Sequence, residues 1–428
     1  MIQSQPRLES VFDAAAQDSS ASGQCVQCRG SKLLCGKTRC PIMVKWDFLM
    51  KTQPLIDSFN IDGSSPPGVF VGRFGYPKVY VGPLVPPFHA DTAILDMPEQ
   101  WLSRSIEDIV SFRSQLVRGM HRVHVMDVEN GGRIVDLTRE LALSTMVTDV
   151  EVEFTKRPFG RIVLDDETQP FGPSAPIKTM DLSSYKVDAK LDKAYSDTDL
   201  KAVPAVLGLY REGIPVSKIQ RAFSVGAFGL EDNRKFVPTR WSITAVDDTI
   251  GKNLREKVKR FPLINEYRVY ESIGYDDRFL VVMMPHSWMY ELIEAWYPGT
   301  IWNPTGQQTW LINSHEYYGG RTTYADIGGC YYAARLAVAE KLESERRQAA
   351  TVILRETHPG YIMPIGVWNV RENVRRALRA EPTNCSRLNE VFGHLSTRLD
   401  IPMSRYIKRS EILRYALHQR TVDDFIGC

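Results

Sequence analysis

Residues Phe236 to Asp248 read FVPTRWSITAVDD, and the folding of this stretch sets the class of the domain around it. Pro238 closes off what precedes. Trp241, Ile243, Ala245 and Val246 then form a mostly apolar run that stops on two adjacent carboxylates, Asp247 and Asp248. Such a run predicts a buried strand, and a strand ending in acids at a sheet edge places ionisable groups at a site. Ala349 to Leu354 predicts a second buried strand, ending on Arg355 and Glu356. Between them the pattern predicts a helix over Thr249 to Arg260, strands at Glu266 to Glu271 and Arg278 to Met284, and a helix opened by His286, Trp288 and Glu291. Cys330 to Arg346 predicts a helix with Ala333, Ala334, Ala337, Val338 and Leu342 on its inner face. Interleaved strands and helices of this kind predict a mixed α/β (α+β) core.

Upstream, Val69 to Val71 and Val79 to Val81 flank Gly-Arg-Phe-Gly-Tyr-Pro, which predicts a β-hairpin with Arg73, Tyr76 and Lys78 at its tip. Those three residues suit a phosphate backbone, or simply a solvated turn. Ser105 to His121 carries a helix signature: Ser105 as cap, Asp108 three residues on, then Ile109, Phe112, Leu116 and Met120 at helical spacing. A short helix at Leu141 to Met146 and a strand at Val150 to Phe154 follow. The stretch from Asp165 to Tyr195 is rich in Pro, Ser, Asp and Lys and reads as a long loop or boundary. Leu200 to Phe223 reads as two helical pieces broken near Gly213 and Pro215.

The expected organisation is a loose lead-in over 1–22, a four-cysteine segment over 23–45, an N-terminal α+β domain over 46–165 and a linker over 166–198. An α/β domain over 199–380, a basic helical region over 381–417 and a short tail over 418–428 complete it. A chain of 428 residues calls for more than one core. Its net charge of +2 assigns any nucleic-acid contact to a local patch. The longest apolar run, Phe279 to Met284, is strand-sized, and the N-terminus has no basic-then-apolar leader pattern. The expected location is therefore cytoplasmic, with no membrane partner.

Cys25, Cys28, Cys35 and Cys40 follow a C-x2-C-x6-C-x4-C spacing. Four thiolates satisfy tetrahedral Zn²⁺ and leave no open position, which predicts a structural site. Gly30 and Gly36 allow the tight turns this needs, and Lys32, Lys37 and Arg39 favour thiolate formation. The alternative is four free thiols on a loop.

From Arg371 to Arg420 there are eleven Lys and Arg against five Asp and Glu, mostly near 371–379 and 405–417. This is an electrostatic footprint for nucleic acid, or a solvated helix face. His315 to Gly329, HEYYGGRTTYADIGG, is aromatic and glycine-rich and precedes a helix. Such a start can meet an anion, although no complete phosphate-loop pattern is present. The chain ends in QRTVDDFIGC. Gln419, Val422, Phe425 and Ile426 resemble the motif by which replication and repair proteins bind the sliding clamp PCNA, with Ile426 where a second aromatic is usual.

Taken together, the chain resembles the archaeal Nre family of proposed DNA-repair proteins. The four-cysteine cluster, VGRFGYPKVYVGPL, RKFVPTRWSITAVDD, GRTTYADIGGCYYAARLAVAE and the tail carry the resemblance. It implies a zinc-bearing, clamp-associated protein of DNA repair, and it implies no particular reaction. Three functions are compatible with the residues. Asp247, Asp248, Glu316 and Glu356 gathered around Mg²⁺ would hydrolyse a phosphodiester, with His286, His315 and Arg321 in proton transfer or charge stabilisation. A non-enzymatic DNA-recognition adaptor held on the clamp needs no such cluster. A nucleotide-cofactor-dependent transferase would use the Gly319–Gly329 stretch.

Metal removal tests the cysteine reading. Chelation or Cys28→Ser is expected to increase hydrogen exchange over 25–40 and leave most of the remaining fold intact. A purified protein without bound zinc and with unchanged exchange there would refute it.

Overall fold

The structure is a computed structural model and describes residues 22–56, 58–160, 162, 168–304 and 306–418. It contains two six-stranded mixed sheets and helices around each, so the α+β class holds. In chain order the elements are α1 (Ser22–Cys28), α2 (Pro41–Thr52), β1 (Asn60–Ser65), β2 (Val69–Val71), β3 (Lys78–Val85), α3 (Ile106–Gln115), β4 (Val117–His124), α4 (Arg133–Leu143), β5 (Thr148–Phe154), β6 (Ser174–Leu182), α5 (Ala189–Ser196), α6 (Ala202–Arg211), α7 (Val216–Ser224) and α8 (Thr239–Val258). There follow β7 (Tyr267–Gly274), β8 (Asp277–Met284), β9 (Met289–Trp296), β10 (Trp310–Glu316), α9 (Gly329–Glu345), β11 (Ala350–Thr357), α10 (Trp368–Arg379), β12 (Thr383–Cys385), α11 (Leu388–Ser396), α12 (Met403–Arg409) and α13 (Glu411–His418). No helix among the described residues is long and apolar enough to cross a membrane.

The chain divides into two compact units. One comprises Met1–Ile250 with Ile362–Trp368, the other Gly251–Tyr361 with Asn369–Cys428. The division falls within α8, and the supposed linker at 166–198 is not one. β6 lies there, antiparallel to β5 and parallel to β4, inside the sheet β1-β5-β6-β4-β3-β2. Its Ala175, Ile177 and Met180 are buried, which overrides the polar and proline-rich composition.

Three other local expectations change. FVPTRWSITAVDD is not a strand: from Thr239 it is the start of a twenty-residue helix. Ser242, Val246, Ile250, Leu254 and Val258 are all buried, an unbroken i, i+4 series, whereas Trp241 is exposed. That longer helical period outweighs the brief apolar run. His286 to Glu291 opens no helix either, because β9 begins at Met289 and pairs with β10 on one side and β11 on the other. Its carboxylates, Glu291 and Glu294, hid a strand that is buried at every position but the last. The helix expected over Ser105–His121 has the Ser105–Asp108 capping box but stops at Gln115, and Met120 lies on β4. The β2–β3 hairpin, the broken helix pair α6–α7, and strands β5, β7, β8 and β11 form as expected.

In the second unit the order is β10-β9-β11-β8-β7-β12. Side chains alternate across a strand, so each strand supplies two faces. Leu280, Val282, Met284, Met289, Ile293, Val352 and Leu354 form one face and pack with Val391, Leu395, Tyr406, Ile412 and Leu413 of α11–α13. Glu291 projects on that same face. It accepts from the backbone N–H groups of Glu411 (3.0 Å) and Ile412 (3.1 Å), from the Ser410 hydroxyl, and from Asn313 Nδ2 at 2.7 Å. The carboxylate thereby satisfies orphan donors at the start of α13. Glu291→Ala is expected to cost about 3 kcal/mol or more. Urea unfolding should show the lower midpoint, and amides 411–413 should exchange faster. Unchanged exchange there would refute the anchoring role.

Candidate nucleic-acid interface

The four carboxylates singled out in the sequence do not assemble. Asp247 is buried inside α8 and accepts from Gln220 Nε2 at 2.8 Å. Asp248 is the next residue of the helix, turned about 100° away, and is half-buried. Glu316, the last residue of β10, is fully buried. It accepts from Arg335 Nη1 at 2.9 Å, Trp288 Nε1 at 3.0 Å and Arg255 Nη1 at 3.4 Å. Glu356, on β11, accepts from Ile401 N–H (3.1 Å), Asp400 N–H (3.2 Å) and the Tyr406 hydroxyl (3.0 Å). Burial pushes its carboxyl above the usual range, and those three donors pull it back. Asp247, Glu316 and Glu356 are thus internal acceptors with different partners, and among the described residues Glu316 and Glu356 share no group of ligand atoms.

Among the described residues, one group of His, Cys, Asp and Glu has all its ligand atoms within 4.8 Å of one another: Glu356, His358 and Asp400. Arg278 Nη1 lies 3.8 Å from both carboxylates, so a guanidinium already supplies positive charge there. A further buried ion pair centres on Arg355, which donates to Asp277 at 2.6 Å and Glu294 at 2.8 Å. Burial alone would lower its pKa, but the two carboxylates hold it firmly charged. The basic run at 371–379 also turns inward: Arg371 pairs with Glu372, Arg375 with Glu340 and Glu372, and Arg376 with Ser272 and Asn373. Of the expected basic footprint, Arg379, Arg387, Arg398, Arg405, Lys408, Arg409 and Arg414 are exposed.

The end of β10 gathers a different set of residues. Arg321 donates to the carbonyls of His315 (2.9 Å), Tyr324 (3.1 Å) and Thr323 (3.2 Å), and its guanidinium lies over the Tyr331 ring. Its role is to brace the loop between β10 and α9 rather than to stabilise a reacting charge. That loop turns at Gly320, which has φ +82°, and a Cβ there would fall 2.2 Å from Arg255 Nη1. Only glycine combines this backbone with that approach.

The braced loop presents Tyr317, Tyr318 and Tyr324 to solvent, Tyr324 being 64% exposed. Lys259 Nζ sits 4.7 Å from the Tyr318 ring centre. On the other side, Tyr317 meets His315 at 5.1 Å and Tyr415 of α13 at 6.3 Å. Tyr415 in turn meets His286 at 5.5 Å. His286 and His315 are thus linked through the rings of Tyr415 and Tyr317, and Arg321 holds the His315 carbonyl. At the C-terminal ends of α8 and α9, Lys257, Arg260 and Arg346 line an open hollow of about 530 Å³ with Phe261, Glu343 and Ser344. Exposed rings interleaved with cations can stack unpaired bases and pair with the adjoining phosphates. The sequence signal was EYYGGRTTYADIGG, which could be read as a loop but not as a tyrosine platform.

The cysteine segment also takes shape. Burial alone would raise the Cys28 thiol, yet N–H groups of Leu34, Lys32, Gly30 and Leu33 bring it below its ordinary value. Cys40 stands at the N-cap of α2. Burial raises Cys40, and the N–H groups of Met43 and Ile42 oppose that. Cys25 is raised by burial, then by Cys35, Cys40 and Cys28. Cys35, Cys40 and Cys28 thus all lie near enough to Cys25 to raise it. Gln419, Val422, Phe425 and Ile426 lie outside the described residues.

Comparison with known proteins gives consistent relatives. The family model described as "Archaeal Nre, N-terminal" matches residues 34–303, and "Archaeal Nre, C-terminal" matches residues 316–425. A protein named DNA repair protein NreB from Archaeoglobus fulgidus is 41% identical over 403 residues, covering 94% of this chain and 100% of the relative. DNA repair protein NreA of the same organism is 35% identical, covering 95% and 99%. DNA repair protein NreA of Haloferax volcanii is 33% identical, covering 85% and 89%. No solved structure matches significantly. Two family models in tandem, together with full-length relatives, establish that the chain belongs to the archaeal Nre family.

Proposed function

We propose that this protein serves DNA repair as a clamp-attached DNA-binding adaptor. It takes unpaired or distorted DNA on the tyrosine-and-cation surface at the end of β10 and fastens to PCNA through its tail. The observation that carries this reading is the trio Tyr317, Tyr318 and Tyr324, exposed on a loop that Arg321 braces, with Lys259 over one ring. Large rings held rigidly in water are costly unless a partner covers them. The names of the relatives, DNA repair proteins NreA and NreB, support a role in DNA repair.

The tail supports the second half. α13 ends at His418, one residue before Gln419, and Glu291 pins the start of that helix to the sheet. A clamp-binding segment there would follow a fixed base. Four cysteine sulfurs suit Zn²⁺; backbone N–H groups lower the Cys28 thiol, while burial raises Cys25 and Cys40. Bound there, the ion would cross-link a short segment that has little core of its own. The adaptor would act in the cytoplasm, with the DNA.

The nuclease reading lacks support in the geometry, since Asp247, Glu316 and Glu356 already serve internal donors. The transferase reading is weaker too, because Arg321 is directed at the backbone of the glycine-rich loop itself.

A crossed pair of variants tests both halves in the full-length protein. Tyr317→Ala with Tyr324→Ala is expected to weaken binding to labelled single-stranded DNA about tenfold or more, because each stacked ring contributes about 1–3 kcal/mol. Clamp capture should not change. Phe425→Ala should weaken clamp binding about thirtyfold, a loss of about 2 kcal/mol, and leave DNA affinity intact. If the tyrosine variant binds DNA like the wild type, the interface is wrongly placed. If Phe425→Ala still binds the clamp, the tail is not the anchor.

A further inference from the structure

The first unit carries a second surface of exposed rings and cations, at the tip of the β2–β3 hairpin. Gly72 N–H closes the hairpin onto Tyr80 O at 2.7 Å, and Lys78 N–H closes the inner turn onto Gly75 O at 2.9 Å. Gly75 adopts φ +82°, which lets this turn form without side-chain strain. The tip is therefore a fixed projection. At its apex Phe74 is 77% exposed, more than any other large hydrophobic residue described. Arg73 lies over the Phe74 ring, 5.0 Å from its centre. Tyr76 is also exposed and leans on Trp241 of α8 at 5.4 Å with the rings 53° apart.

Cations border these rings. Lys78 is exposed at the start of β3, and Arg122 is exposed on β4, where it pairs in register with Tyr80. From Gly72 to Tyr80 the sequence GRFGYPKVY contains no carboxylate. An apolar tip alone would suit a groove on another protein. An apolar tip ringed by Arg73, Lys78 and Arg122 suits a polyanion with flat faces.

We propose that this hairpin is a wedge for nucleic acid: Phe74 enters an unstacked base step where single- and double-stranded DNA meet. Arg73, Lys78 and Arg122 hold the flanking phosphates, and Tyr76 with Trp241 backs the displaced base. Apolar side chains that part base steps act in this way, with cations carrying the backbone contact. The inference rests on the DNA-binding reading above but uses a different unit and different residues. Trp241, first read as part of a strand leading to acids, takes a part in the wedge as a ring on the exposed side of a helix.

The test uses full-length protein and a duplex with a single-stranded extension, with 2-aminopurine at the junction. Wild type is expected to raise the 2-aminopurine fluorescence several-fold on binding. Phe74→Ala, a substitution at an exposed site, should abolish that rise while affinity changes by less than about threefold, and Phe74→Trp should restore it. Lys78→Ala should lower the salt slope of binding by about one. A full fluorescence rise with Phe74→Ala would overturn the wedge while leaving DNA binding at β10 intact. Failure of wild type to bind any of these DNAs would overturn both readings, and binding by wild type without the fluorescence rise would overturn the wedge alone.

Discussion

The second sheet depends on burying carboxylates that are each matched to a donor. Glu316 faces Arg335, Arg255 and Trp288, and Arg355 bridges Asp277 and Glu294. Glu291 faces the backbone N–H groups at the start of α13, and Glu356 faces the backbone N–H groups before α12 and the Tyr406 hydroxyl on it. An isolated charge in such a place would be prohibitive, and removing one partner leaves the other stranded. The strand alternation explains the division. Odd positions of β9 and even positions of β11 look towards α11–α13, and the neighbours look towards α9 and α10.

This arrangement has a consequence for the surface. Helices α12 and α13 are tied to the sheet by Glu356 and Glu291, so Arg405, Lys408, Arg409 and Tyr415 are displayed on a rigid base. Glu316 gathers Arg255 and Arg335 directly beneath the loop of Tyr317, Tyr318 and Tyr324. The same carboxylate that resembles a catalytic residue in the sequence thus supports a platform of rings. Preorganised rings lose little freedom on meeting a base, which is why bracing matters for binding.

Parts of this were legible from the residues alone. The hairpin at 69–85 was readable because its valines flank a turn-rich hexapeptide, and α3 because its capping box is local chemistry. The family was readable from whole motifs. The helix at 239–258 was not, because a short run such as WSITAV fits either period and only the later Ile250, Leu254 and Val258 decide it. β9 was missed because MYELIEAW carries two acids, and only a tertiary partner makes buried acids tolerable. The candidate acids failed for the same reason: sequence shows a carboxylate but not the arginine or N–H group that will face it. The tyrosine platform depends on where Arg321 points, which no local pattern encodes.

The claim that these acids support a binding surface, and do not perform catalysis, is tested most directly by Glu316→Gln. Glutamine keeps the shape but removes the negative charge that faces Arg335 and Arg255. The measurement is unfolding stability alongside DNA binding and Mg²⁺-dependent DNA cleavage, all on the same preparation. The account predicts a loss of about 3 kcal/mol or more in stability, with DNA affinity retained below the transition and no cleavage activity to lose. Unchanged stability together with the disappearance of a Mg²⁺-dependent cleavage present in the wild type would contradict it.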